Sequence, residues 1–258
     1  MKNINYDRLF CIMCKKGCID DARQLYNLNP HIKIGSFQQS FIYNCQIGNL
    51  DMVMWLYEVN PNIDINVGFE WSCIYGNLDV SKWLYEIIPT VKISSFTFQR
   101  SFILGCEKGN LDIVMWLYEI KPDININFDN EQAFVYSCKN GNLHIAKWLY
   151  EIKPDINISI RGEEAFRYSY WNGHLDIVRW LYEIKPTINI HSVNDFNYTT
   201  QEIIKWIISL NLNYLTYEII DGKYKLYNKV KKDNNIVFYN KCWCMFKIRN
   251  LFNRMFNV

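Results

Sequence analysis

Apolar residues recur along this chain at spacings of three and four, and glycine and proline interrupt them at regular intervals. Over 111–120 (LDIVMWLYEI) that spacing predicts an amphipathic helix with one apolar stripe. Pro122 ends it, because proline lacks a backbone donor and drives the preceding residue out of the helical region. The stretch that follows (DININ, 123–127) alternates polar and apolar residues, as an extended segment does. A second short helix is expected over 131–140 (EQAFVYSCKN). It stops at Gly141, a residue able to take the left-handed conformation that closes a helix.

The same pattern is copied along the chain. GNLDMVMWLYEVNPNIDIN (48–66), GNLDVSKWLYEIIPTVKIS (76–94), GNLDIVMWLYEIKPDININ (109–127), GNLHIAKWLYEIKPDINIS (141–159) and GHLDIVRWLYEIKPTINIH (173–191) are five copies, with a weaker one at 17–35. The leading glycines (Gly17, Gly48, Gly76, Gly109, Gly141, Gly173) are 31, 28, 33, 32 and 32 residues apart. All six prolines fall thirteen residues after them, and a phenylalanine precedes each by seven (Phe10, Phe41, Phe69, Phe102, Phe134, Phe166). A degraded copy at 199–210 (TTQEIIKWIISL) keeps Trp206 in register. Its first helix is squeezed into too few residues, so it reads as a terminal cap.

Two helices and an extended finger in a unit of this length resemble the ankyrin repeat, whose period is about 33 residues. The resemblance covers roughly residues 5–213. It is carried by the G-(N/H)-L-(D/H) turn with its helix and by the D-I-N tails at Asp123–Asn125 and Asp155–Asn157. The WLYEIKPDINI wording is similar to the large ankyrin-like families of giant DNA viruses of amoebae. What the resemblance implies is an all-α helix–turn–helix solenoid of about six repeats plus a degenerate cap. Of the family's T-P-L-H tetrapeptide only the apolar third position survives, at Phe134 and Phe166. Asn60, Ile88, Lys121, Lys153 and Lys185 stand where a glycine usually closes the second helix. The 28-residue spacing before Gly76 implies a shortened finger around Val67–Gly68.

Composition changes the picture only locally. The 258 residues are 50% hydrophobic and 16% aromatic, which excludes wholesale disorder. No run approaches the length of a membrane span and no signal-like segment opens the chain, so an intracellular protein, in host cytoplasm or nucleus, is expected. Five of nine cysteines (Cys14, Cys45, Cys73, Cys106, Cys138) sit three residues before the repeat glycine, as small buried hydrophobes would. The rival reading, a metal or redox site at Cys11-x-x-Cys14 or Cys242-x-Cys244, lacks a paired half or suitably spaced histidines. Trp55, Trp83, Trp116, Trp148 and Trp180 share one register, seven residues after the glycine, which suits packing between repeats better than an exposed strip. No catalytic motif, metal set or cofactor cradle occurs, and the four histidines are scattered.

The net charge of +2 is an average. Residues 1–213 carry 19 basic and 23 acidic side chains, whereas 214–258 carry nine and three. The chain thus divides into a repeat solenoid (1–213) and a basic, aromatic tail (214–258). Within that tail CWCMFKIRNLFNRMF (242–256) has the pattern of a basic amphipathic helix. The tail reads as a cap on the last repeat, or alternatively as an anchor to a membrane, a nucleic acid or a ubiquitin-ligase component.

Repeat stacks present extended surfaces for recognition. By resemblance, the recognition face comprises the fingers and the exposed ends of the first helices. The residues just before each glycine vary most. Gln46, Ile74, Tyr75, Glu107, Lys139 and Trp171 are therefore expected to contact a folded partner, by the viral resemblance a host protein, with the chain acting as a monomer and not as an enzyme. Nucleic acid is not expected on the near-neutral repeats. Asn125 and Asn157, in L-Y-E-I-K-P-D-I-N contexts, resemble ankyrin sites of asparagine hydroxylation.

Overall fold

A repeat of about thirty residues cannot bury an apolar stripe alone, so its neighbours must cover it. In the computed structural model, which describes residues 5–87, 93–193, 199–210, 215–232 and 235–239, they do so within two compact units, 1–133 and 134–258. The first unit stacks four helix pairs: α1 (Tyr6–Lys15) with α2 (Ile19–Leu28), α3 (Ile34–Ile47) with α4 (Leu50–Val59), α5 (Ile65–Tyr75) with α6 (Leu78–Glu86), and α7 (Ser95–Lys108) with α8 (Leu111–Ile120). The division falls inside α9 (Phe128–Lys139). The second unit continues with α10 (Leu143–Ile152), α11 (Ile160–Trp171), α12 (Leu175–Ile184), a 3-10 turn (Ile190–Val193) and α13 (Gln201–Ser209).

The repeat phenylalanines, from Phe10 to Phe166, are all fully buried, as are the five register cysteines and Leu56, Leu84, Leu117, Leu149 and Leu181. Each buried ring contributes about 1.5–3 kcal/mol relative to leaving it exposed. The sixth repeat carries Tyr170 where the others carry cysteine, and it too is fully buried. Its ring stacks on that of Phe166, 6.5 Å away.

The tryptophans pack between repeats. Trp83 meets Tyr57 of the preceding repeat edge-on at 5.9 Å, Trp116 meets Tyr85 at 5.8 Å, Trp180 meets Tyr150 at 6.0 Å, and Trp206 meets Tyr182 at 5.6 Å. From the other side, Trp55, Trp116 and Trp180 each lie 6.1 Å from Phe10, Phe69 and Phe134. Each aromatic pair adds about 0.5–1.5 kcal/mol beyond the area it buries.

A second device links repeats through polar atoms. Gly48 closes α3 at φ +79°, and a side chain there would place its Cβ 2.6 Å from Oδ1 of Asn77. Asn77, the residue after the next repeat's glycine, donates from Nδ2 to the carbonyls of Cys45 (2.8 Å) and Gln46 (2.7 Å). Asn110 does the same to Cys73 (3.2 Å) and Ile74 (2.7 Å), and in the second unit His174 Nε2 lies 3.0 Å from the Lys139 carbonyl. The last carbonyls of a helix have no partner within it. The Asn or His of the turn therefore completes the helix of the repeat before it.

The fingers keep the expected alternation, with Ile124 and Ile126 buried around an exposed Asn125, but no strand forms in them among the described residues. A side chain three residues before the repeat phenylalanine holds the finger of the next repeat. Gln38 accepts from the Asp64 N–H (2.8 Å) and donates to its carbonyl (3.3 Å), and Gln99 treats Asn125 alike (3.1 and 2.9 Å). The 28-residue spacing does not shorten a finger around Val67–Gly68 as expected: both residues lie inside α5, which is 11 residues long against 14 for α3 and α7, so the missing turn comes out of the helix. Gly68 lies inside that helix, where a Cβ would fall 2.4 Å from the Phe41 ring. The first turns of α9 and α11 each contain three residues of positive φ, Asp129–Glu131 and Arg161–Glu163.

Beyond α13 the chain turns to strands, a feature absent from the all-helical expectation. β1 (Leu215–Ile220), β2 (Lys223–Lys232) and β3 (Asn235–Tyr239) form an antiparallel sheet in that order, with Ile220 opposite Lys223 across the turn Asp221-Gly222. Both turn residues have positive φ (50° and 72°), as a two-residue hairpin requires. The sheet is fastened to α13 by the Gln201 side chain, which accepts from the Tyr224 N–H (2.7 Å) and donates to its carbonyl (3.3 Å). Leu215 and Leu226 are buried. The amphipathic segment expected over 242–256 lies outside the described residues.

Candidate protein-binding face

The phenylalanine of each first helix points into the core, so the residues two, five and six positions further on lie toward the outside of the same helix. In the first unit the structure brings two aromatic residues together there. Trp71 and Tyr75 lie 5.9 Å apart on α5, with Tyr75 57% exposed, and Lys15 of α1 sits 5.4 Å above the Tyr43 ring of α3. Glu70 on α5 pairs with Arg100 on α7 at 3.0 Å. Gln46 is half-buried and gives its carbonyl to Asn77, while Glu107 lies 3.5 Å from Lys108.

Ile74 corrects the sequence expectation. It is buried, only 8% exposed, and its carbonyl is taken by Asn110, so its side chain offers nothing to a partner.

In the second unit Lys139 and Trp171 join three residues that sequence reasoning missed. Lys139 Nζ lies 5.6 Å from the Tyr136 ring and 5.3 Å from that of Tyr168. Tyr168 and Trp171 are 6.0 Å apart, and the Arg167 guanidinium lies 5.7 Å above Trp171. The Tyr168 hydroxyl hydrogen-bonds Glu164, which raises its pKa above the ordinary value. A signal for the two tyrosines existed: the position five before the glycine reads Ile12, Tyr43, Trp71, Leu104, Tyr136, Tyr168, aromatic in four of six repeats.

Asn125 and Asn157 are exposed on their fingers, and each side-chain oxygen accepts from a backbone N–H two residues on, that of Asn127 and of Ser159, both at 3.1 Å. Burial pushes the Cys14 and Cys73 thiols up to about 12, and raises those of Cys45 and Cys138 as well, so these groups stay protonated and inert. Among the described residues no group of three or more His, Cys, Asp or Glu could hold a metal ion. Cys242 and Cys244 lie outside those residues. No helix among the described residues is long and apolar enough to cross a membrane.

Each unit is thus a stack of helix–turn–helix repeats with repeated packing inside and variable residues on the first-helix face. Residues 102–194, the stretch holding Gly109, Gly141 and Gly173, match the family model of ankyrin repeats in three copies. No curated protein matches the chain. Ankyrin repeats are in general modules of protein–protein interaction, and typically non-catalytic.

Proposed function

We propose that this protein binds another folded protein through the first-helix faces of its repeats and performs no catalysis. One observation carries the reading. The frame residues are buried and nearly identical from repeat to repeat, whereas the variable positions before the glycines bear exposed aromatic side chains, Tyr75 and Trp171, each preassembled with a half-buried ring, Trp71 in one unit and Tyr168 in the other. Rigid aromatic rings supply large contact area at small entropic cost, which makes them the usual anchors of an interface. Gln46, Glu107 and Lys139 supply the polar surroundings. The similarity of the repeat wording to giant-virus families favours a host protein as the partner. The chain acts as a monomer in cytoplasm or nucleus.

The test is a pull-down with the full chain, followed by affinity measurement on the captured partner. Tyr75→Ser and Trp171→Ser together are expected to weaken binding by about tenfold or more, as loss of interface anchors does. Unchanged affinity in the folded double variant refutes the assignment of the face.

We read the tail, 214–258, as a cap rather than an anchor. Gln201 clamps Tyr224, and Leu215 and Leu226 are buried, which supports that reading because the last repeat of a stack must be covered.

A further inference from the structure

On the first-helix face both units hold a cation against a ring, Lys15 over Tyr43 in the first, but only the second gathers two of them around one group of rings. In the first, Arg100 is neutralised by Glu70 at 3.0 Å, and Lys108 lies 3.5 Å from Glu107. In the second, Lys139 and Arg167 make no ion pair among the described residues. Both rest against aromatic rings instead: Lys139 between Tyr136 and Tyr168, Arg167 over Trp171. The neighbouring carboxylate, Glu164, is engaged by the Tyr168 hydroxyl and lies 3.8 Å from Arg161. The Arg167 Nε–H is buried without an acceptor.

A ring face attracts a cation through its quadrupole but does not neutralise it. It therefore holds the charged head in place while leaving its charge to act on a ligand. Guanidinium and ammonium groups so positioned form their strongest hydrogen bonds with anions, and the arginine fork matches a carboxylate. The flat faces of Tyr168 and Trp171 beside them suit apolar or backbone groups of an extended chain. We propose that Lys139 and Arg167, walled by Tyr136, Tyr168 and Trp171, form a binding site for an acidic peptide segment of the partner. The inference rests on the protein-binding reading of this face and adds the chemistry of what the second unit takes. Two cations on a repeat region with more acidic than basic side chains are too few for a nucleic acid, whose affinity grows with the number of phosphates neutralised.

Fluorescence anisotropy with the full chain tests this directly. The probe is a fluorescein-labelled peptide of alternating glutamate and leucine, compared with the same peptide carrying glutamine for glutamate. The acidic peptide is expected to bind about tenfold tighter, and raising the salt to about 0.5 M should erase most of the difference, since screening weakens exposed ion pairs. Lys139→Gln with Arg167→Gln should erase it at low salt, whereas Arg100→Gln in the first unit should not. Circular dichroism verifies that each variant is folded. Equal affinity for the two peptides, no effect of the Lys139 and Arg167 substitutions, or preferential capture of an oligothymidylate or of anionic vesicles overturns the proposal. If the acidic preference is absent while Trp171→Ser still releases the pulled-down partner, the face stands and only its chemistry is wrong. If the preference is present while Tyr75→Ser and Trp171→Ser leave the partner bound, the broader reading fails and the anion site survives it.

Discussion

The turn asparagines make a prediction whose sign and size both follow from geometry. Asn110 donates from one nitrogen to two carbonyls at the end of α5, at 3.2 and 2.7 Å. A net hydrogen bond is worth about 1 kcal/mol, so Asn110→Ala should cost about 2 kcal/mol. Gly76 closes the same helix at φ +81°, and a Cβ added there would lie 2.8 Å from Asn110 Oδ1. Gly76→Ala therefore does two things. It forces a side chain into the left-handed region, at about 1–2 kcal/mol, and it displaces the Asn110 amide. In the double variant the amide is already gone, so only the backbone strain is added. The double variant should be less destabilised than the sum of the singles by about 2 kcal/mol, the size expected of residues in direct contact. Urea unfolding of the four chains, followed by far-UV circular dichroism, measures the cycle. Asn110→His is a control, since His174 serves the same role with one bond at 3.0 Å, and should recover about half the loss. Additivity within about 0.5 kcal/mol would refute the coupling of glycine and amide.

The remaining predictions concern the buried thiols and the tail. Cys14 and Cys73 are held at about 12 by burial against an ordinary 9.0, so the folded state keeps protons that the unfolded state loses. The stability they contribute is complete below about pH 9 and falls as pH rises toward about 12. Urea midpoints between about pH 8 and pH 10.5 should decline less steeply in Cys14→Ala/Cys73→Ala than in the parent chain, and equal slopes would show that the thiols do not report their burial. Deleting 214–258 uncovers the α13 surface that Leu215 and Leu226 help to cover. Lowered thermal stability with α13 exchanging its amide protons is the result expected of a cap, whereas a truncated chain of full stability that has lost liposome or DNA binding would make the tail an anchor.

The frame of the repeats was legible because it is written six times. A phenylalanine, a glycine and a proline in fixed register leave few alternatives, and every register phenylalanine proved fully buried. Ile74 escaped because the position two before the glycine is exposed or half-buried in other repeats, and only packing in the folded chain distinguishes it. Tyr136 and Tyr168 do not stand among the two variable residues before each glycine, although a helix brings the fifth residue before it to the same surface. The hairpin was legible as well: Asp221-Gly222 between alternating segments is a strong turn signal. Within the tail an element is expected only over 242–256, so the stretch that forms the hairpin has none assigned.

The turn amides also set an order of events in synthesis. Asn77 finishes a helix end 31 and 32 residues before it, and Asn110 one 36 and 37 residues before it. A chain emerging from the ribosome in the N-to-C direction therefore holds its newest first helix with open carbonyls until the following turn has been translated. The first helices α3 and α5 are completed by the turn of the following repeat, while Gln38 and Gln99 in turn hold the finger that follows them. A premature stop just after one of the repeat glycines leaves the preceding first helix without its closing amide, whereas a stop one turn later does not.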